Sequence, residues 1–260
     1  MITKLAYDAL INEVELTPKP GLVDRANSGS HNDMDIDTFY LSANAIKPFI
    51  EKFVECGNCF NDLREVGIEC EKEMFKATNG VNTHKGMIFS LAVICGAIGS
   101  VGASCLETLQ EEIKYICKDL VQKDLKNSKV AKTNGEVFYQ KTNLAGIRGE
   151  ASNGYPIVFQ QALPFFIAKE EEHGENIALK MTLLFLMSKT DDSTLYARGG
   201  LEGLSFVKSE AKKLLHVDDI SLLDNRLEKL DKIMTKKNLS AGGSADLLGL
   251  TWFLAKVNMI

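Results

Sequence analysis

Apolar residues return every three or four positions along most of the chain. Leu106, Leu109, Ile113, Ile116 and Leu120 do so, with Glu111, Glu112, Lys114 and Lys118 between them. Ile177, Met181, Leu184 and Met187 repeat the pattern, as do Ile220, Leu223, Leu227, Leu230 and Met234. That spacing lays one apolar stripe along one side of a helix. Alternation with a period of two, which would mark half-buried strands, is hard to find. The pattern therefore predicts about ten helices in a single all-α domain over residues 1–260. Ser104 followed by Glu107 predicts a capping box. From Gly86 to Leu106 no residue is charged. A run of that length can span a bilayer. This one contains Gly86, Gly96, Gly99 and Gly102 and lacks aromatic anchors at its ends. The expectation is a buried central helix whose small residues let neighbouring backbones approach.

Composition narrows the class. With 45% hydrophobic and 25% charged residues, the chain has the profile of a soluble globular protein. Its net charge of -5 argues against general affinity for nucleic acid or anionic membrane, so an anionic ligand has to be met by a local basic cluster. The first residues, "MITKLAYDALINEVELTPKPG", carry acids within their apolar stretch and do not read as a signal peptide. A cytoplasmic, reduced protein is expected, and its six cysteines do not read as a disulfide framework. Cys56 and Cys59 in "CGNC" have no second such pair to complete a zinc site, so a helix-ending turn is expected there.

The chemistry lies between the helices. Five stretches expected to be non-helical are rich in glycine and polar residues: "LTPKPGLVDRANSGSHNDMD", "NGVNTHKG", "GIRGEASNGYP", "DDSTLYARGG" and "NLSAGGSADLL". Connections between packed helices are usually much shorter than the first of these. The bases Lys19, Arg25, Lys85, Arg148 and Arg198 sit beside glycines that let backbone N–H groups approach a ligand. Each alone fits a capped helix with a solvated base; together they point to a polyphosphate pocket. Asp24, Asp33, Asp35, Asp192, Glu150 and Asp246 share these stretches. Bare carboxylates repel phosphate, so their presence suggests a bridging magnesium ion. Neither a P-loop nor a Rossmann fingerprint occurs. No His-Asp dipeptide occurs either, which disfavours a histidine-rich metal centre; His84 reads as a phosphate or base contact and His216 as surface.

The stretches "NEVELTPKPGLVD", "GSHNDMDIDTF", "GIECEKEMFKATNGVNTHKG", "GIRGEASNGYP", "DDSTLYARGG" and "KNLSAGGSADLLGLTWFL", in this order, resemble the triphosphoribosyl-dephospho-coenzyme A synthase family. The likeness runs from Asn12 to Leu254; the segment from Leu125 to Val137 has no clear counterpart. The resemblance implies an all-α fold and transfer of the triphosphoribosyl group of ATP to the 2′-hydroxyl of 3′-dephospho-CoA, with adenine released. The product would be a prosthetic-group precursor for an acyl carrier protein of citrate lyase or malonate decarboxylase, handed on by a downstream transferase. Read onto the matched motifs, Lys19, His84, Lys85, Arg148, Arg198, Gly199, Gly242, Gly243 and Ser244 are the nucleotide- and phosphate-binding candidates. Asp33, Asp35 and Asp246 are the candidates for a magnesium site. Glu71, Glu150 and Asp24 are the catalytic candidates, since an oxocarbenium-like state needs a base and a stabilising negative charge. A metal-dependent nucleotide phosphohydrolase and a non-catalytic nucleotide- or CoA-binding module stand as alternatives.

Overall fold

The computed structural model describes residues 1–126, 131, 133–216 and 219–258. Part of the segment between Leu125 and Val137 lies outside the described residues. The helices are α1 (Ile2–Glu15), α2 (Ile36–Cys56), α3 (Phe60–Ala77), α4 (Lys85–Val101), α5 (Leu106–Cys117) and α6 (Asn134–Thr142). They continue as α7 (Gly146–Ser152), α8 (Leu163–His173), α9 (Glu175–Lys189), α10 (Ser193–Leu214), α11 (Leu223–Lys236) and α12 (Gly242–Val257). No strand occurs among the described residues, so the all-α expectation holds.

Helices α4 and α12 are the centre. Eleven consecutive-turn residues of α4, from Met87 to Ile98, are buried, and α12 is buried along nearly its whole length. Around them, α2 packs on α1, α3 and α4, while α12 packs on α1, α4, α8, α9 and α10. The charge-free run is thus a core helix, as expected, and its glycines act by their lack of a side chain. A Cβ at Gly99 would stand 1.9 Å from the Val54 carbonyl oxygen, and one at Gly96 would stand 2.5 Å from that of Gly57. Those contacts let α4 lie against the end of α2, where "CGNC" forms the expected turn into α3. No single helix among the described residues is long and apolar enough to cross a membrane.

Three local expectations are corrected. The Ser104–Glu107 capping box does not form: α5 begins one residue later, after Cys105, with no side-chain cap. "GIRGEASNGYP" contains the short helix α7, and most of "DDSTLYARGG" lies inside α10. In the latter the glycines break the helix rather than precede it, for Gly200 has φ 61° and ψ -159°. Likewise α12 starts at Gly242, so most of "NLSAGGSADLL" lies inside α12.

Candidate active site

One end of the bundle gathers the C-terminal end of α1, the 16–35 segment, the α3–α4 corner, the start of α10 and the start of α12. The 16–35 segment is fastened from within. Asp24 accepts hydrogen bonds from the backbone N–H of Lys19 (2.9 Å), Ala26 (2.7 Å) and Asn27 (3.0 Å). Asp231 of α11 holds it from outside through Gly21 N–H (2.9 Å) and the Asn27 amide (3.2 Å). Lys19, 1% exposed, gives its ammonium to the Glu13 carbonyl oxygen (2.7 Å) and the Glu13 carboxylate (2.5 Å). Buried polar groups of this kind are tolerated because each is answered by a partner. Asp24 and Lys19 therefore shape the segment, each meeting partners within the chain.

The start of α12 is capped by another helix. One Asp192 oxygen accepts from Thr194 and Leu195 N–H and caps α10; the other accepts from Ser244 N–H (2.9 Å) and its hydroxyl (3.1 Å). Ser244 thus meets Asp192 through both its N–H and its hydroxyl. A Cβ at Gly243 would stand 3.1 Å from the Asp192 carboxylate, and one at Gly199 2.4 Å from the end of the Leu239 side chain. The backbone N–H groups of Gly242 and Gly243 precede the first bond of the helix and stay available.

Three acids share the interior here. Asp246 lies deep among protein atoms yet keeps part of its surface open. Burial, with the charges of Glu13 and Asp192 beside it, holds its carboxyl well above the usual range. Asp192 is also pushed up by burial, against four hydrogen bonds that favour its charged form. No hydrogen bond to the Asp246 carboxylate occurs among the described residues, and a Cβ at Gly86 would sit 2.2 Å from its Oδ2. Glu150 is raised by burial and by Asp191, while Ile157 N–H donates to it at 3.2 Å. Between these acids lies Tyr155, wholly buried, with its hydroxyl on Ser90 (3.0 Å); Glu150 and Asp246 both act on its pKa.

The bases divide. Arg198 donates to the Ser30 carbonyl (2.8 Å) and to Asn238 (2.6 Å), and it stays at this end of the bundle. Lys85 opens α4 and pairs with Glu71 at 2.7 Å, its side chain 41% exposed. Arg148 points elsewhere, to Glu136 of α6 (3.3 Å) and Asp124 (3.6 Å). Burial and the charge of Lys19 push the pKa of His84 down to about 3, which favours the neutral imidazole. Its Nδ1 meets Ser42 Oγ at 2.7 Å, and its buried Nε2 has no protein partner.

The proposed magnesium trio does not assemble. Among the described residues no three His, Cys, Asp or Glu side chains come together as a metal cage. Asp35 is the N-cap of α2, accepting from Thr38 N–H and hydroxyl, and Asp33 is 63% exposed beside His31. Of the three, Asp246 is the one that lies deep among protein atoms with no hydrogen bond to its carboxylate among the described residues, near two further acids, Glu13 and Asp192.

Sequence reading missed Glu13, His31, Asp231 and Tyr155. Glu13 had a signal: it falls on the α1 stripe Ala6, Ala9, Leu10, Glu13, where an acid breaks an apolar face. Asp231 and Tyr155 matter through contacts distant in sequence, which no local pattern carries. Two surface hollows lie apart from these acids. One, about 490 Å³, is lined by residues including His173, Lys180 and Asp224; the other, about 420 Å³, by Tyr7, Tyr40, Trp252 and neighbours.

Comparison with known proteins bears directly on this arrangement. A crystal structure of a triphosphoribosyl-dephospho-CoA synthase from Archaeoglobus fulgidus has the same fold, at TM-score 0.56 and 17% identity, covering 84% of this chain and 97% of that one. Proteins described as probable 2-(5''-triphosphoribosyl)-3'-dephosphocoenzyme-A synthases are 44% identical in Photobacterium profundum, over 99% of this chain and 88% of the relative. The corresponding protein of Citrobacter koseri is 40% identical over 98% and 90%. The fold and these relatives define a transferase whose described residues form helices and loops without strands. The chain belongs to the ATP:dephospho-CoA triphosphoribosyl transferase family, whose profile matches residues 1–260.

Proposed function

We propose that this chain joins the triphosphoribosyl group of ATP to the 2′-hydroxyl of 3′-dephospho-CoA and releases adenine, using the polar end of the bundle. The observation that carries this reading is the family match along the whole chain. Neither a phosphohydrolase nor a binding module is favoured by it.

In the reaction the bond from the ribose anomeric carbon to adenine breaks and a bond from that carbon to the acceptor oxygen forms. The hydroxyl proton goes to a carboxylate, and adenine takes up a proton as it leaves. The anomeric carbon passes through an oxocarbenium-like state that negative charge stabilises. Glu150, raised by burial and half enclosed, is the acid we assign to that sugar, with Glu71 as the other choice. Arg198, Lys85 and the N–H groups of Gly242 and Gly243 are assigned to the triphosphate. Lys85 must then exchange Glu71 for phosphate, which frees the Glu71 carboxylate.

Magnesium fits at Asp246 alone of the three expected ligands, and a magnesium ion needs few carboxylates when phosphate oxygens complete its shell. Bound there, it would neutralise triphosphate charge. Excess chelator should abolish turnover, and Asp246→Asn should raise the magnesium concentration needed for half activity. Undiminished activity in chelator overturns the metal. The product would serve as precursor for the prosthetic group of an acyl carrier protein, through a downstream transferase. A cytoplasmic setting agrees with six free cysteines.

The reaction is tested by mass spectrometry of protein, ATP, magnesium and dephospho-CoA. Free adenine and a conjugate of dephospho-CoA plus triphosphoribose are expected. Phosphate or pyrophosphate without adenine would refute the assignment.

A further inference from the structure

A guanidinium carries five N–H donors and no acceptor. Nη1 of Arg198 donates to the Ser30 carbonyl oxygen at 2.8 Å and to Asn238 Oδ1 at 2.6 Å, and Nη2 lies 3.1 Å from Nδ1 of His31. Since the arginine can only donate, Nδ1 of His31 is the acceptor. The ring's own proton then sits on Nε2, which donates to Ser240 Oγ at 2.9 Å. Asp33 Oδ1 stands 3.9 Å from Nδ1, beyond hydrogen-bond length. The chemistry of one neighbour thus fixes the tautomer of the other, and the direction of both bonds.

These bonds cross between three separate parts of the chain: the 28–31 turn, the broken middle of α10 and the 238–241 segment that leads into α12. Ser30 reinforces them by donating its hydroxyl to the Leu239 carbonyl at 2.7 Å, and the His31 side chain is 11% exposed. Arg198 spends three N–H groups on protein and keeps two. Gly199 and Gly200 follow it, and the break at Gly200 turns the chain away.

We propose that His31 is a positioning residue for the nucleotide: it holds the Arg198 guanidinium so that its two remaining N–H groups face the triphosphate, and it ties that guanidinium to the segment entering α12. This rests on the phosphate role proposed above for Arg198. A His31 side chain that only stabilised the fold would not show the pattern below.

The test measures ATP binding by calorimetry, with steady-state kinetics, on His31→Ala, His31→Gln, Arg198→Ala and the double variant His31→Ala/Arg198→Ala. His31→Ala should weaken ATP binding about five- to thirty-fold, the range for leaving a partly buried donor unsatisfied, with turnover at saturation within about three-fold of wild type. His31→Gln should recover most of the affinity, because its carbonyl can accept from Arg198 and its amide can donate to Ser240. The double variant should bind ATP no worse than Arg198→Ala alone, since one residue acts through the other. If Arg198→Ala is weakened and His31→Ala is not, the inference on His31 falls and the phosphate reading stands. Losses that multiply in the double variant also overturn it. Wild-type binding by Arg198→Ala overturns the phosphate reading and this inference together. Should His31→Ala not fold, Ser240→Ala breaks only the far bond; a loss of about two- to five-fold supports the proposal, and no loss overturns it.

Discussion

Helix α12 begins among polar groups and ends among hydrocarbons. Its first turns hold Ser244 against Asp192 and place Asp246 near Glu13. Its last turns bury Leu250, Phe253, Leu254 and Val257, while Lys256 reaches outward to Glu170 (2.7 Å) and Glu175 (2.8 Å). The hydrocarbon end closes mainly by apolar burial, with the part-buried Lys256 pairs at its edge. At the polar end nearly every buried group is matched: Lys19 by Glu13, Asp24 by three N–H groups, Asp192 by four donors. Without a protein partner are the Asp246 carboxylate and the buried Nε2 of His84, together with two hydroxyls, Thr182 Oγ1 in α9 and Thr190 Oγ1 at its C-terminal end. A carboxylate and a buried imidazole nitrogen left without protein partners, in a fold that otherwise answers most of its buried polar groups, are candidates to meet a ligand.

The contrast breaks most sharply at the acids. Glu150→Gln should lower turnover about 10²- to 10⁴-fold with little change in the ATP Michaelis constant. Glu170→Gln, at the hydrocarbon end, should leave turnover within about two-fold, because it loses only a pair at the edge of that end. If Glu150→Gln keeps wild-type turnover and Glu71→Gln does not, the roles of those two acids are exchanged.

Lys19 tests whether the polar end is also structural. Removing one partner of a buried ion pair leaves the other charge stranded, at a cost of about 3–5 kcal/mol. Lys19→Met should therefore shift the urea midpoint strongly downward. An unchanged midpoint together with weakened ATP binding would support Lys19 as a phosphate contact.

A smaller effect should appear in acid. His84 has its pKa lowered from 6.5 to about 3 by burial and Lys19, and His31 from 6.5 to about 4 by burial and Arg198. Between these values and 6.5 the unfolded chain binds protons that the folded chain does not. Stability conferred by the two neutral rings is present above about pH 6.5 and is lost as pH falls toward 3–4. His84→Gln should flatten the loss of melting temperature between pH 6.5 and 4. An identical slope would mean that His84 titrates freely in the folded protein.

How much of this was legible in the sequence follows from the range of each interaction. Helices α5, α9 and α11 were readable because their stripes are local, and α4 because charge-free residues with glycines at close-packing positions have few other uses. Several of the loops singled out by composition meet at the polar end, with Lys85 at a helix start and Arg198 beside a glycine break. Individual jobs were not readable. Nothing local to Lys19 and Asp24 shows that Glu13 and three backbone N–H groups meet them. Nor does anything local to Ser244 show that Asp192, 52 positions away, accepts from it. Arg148 carried the same signature as Arg198 and was turned away by Glu136 and Asp124. Composition reports what a loop contains; only long-range pairing decides which of its groups are left for a substrate.

Hydrogen exchange read by mass spectrometry, with and without saturating magnesium ATP, tests the central claim most directly. The account predicts slower exchange in residues 19–31, 82–90, 192–200 and 238–246, with no change at 173–180 and 220–230 beside the hollow that contains Lys180. Slowing confined to that hollow, or none at the polar end under saturation, would contradict it.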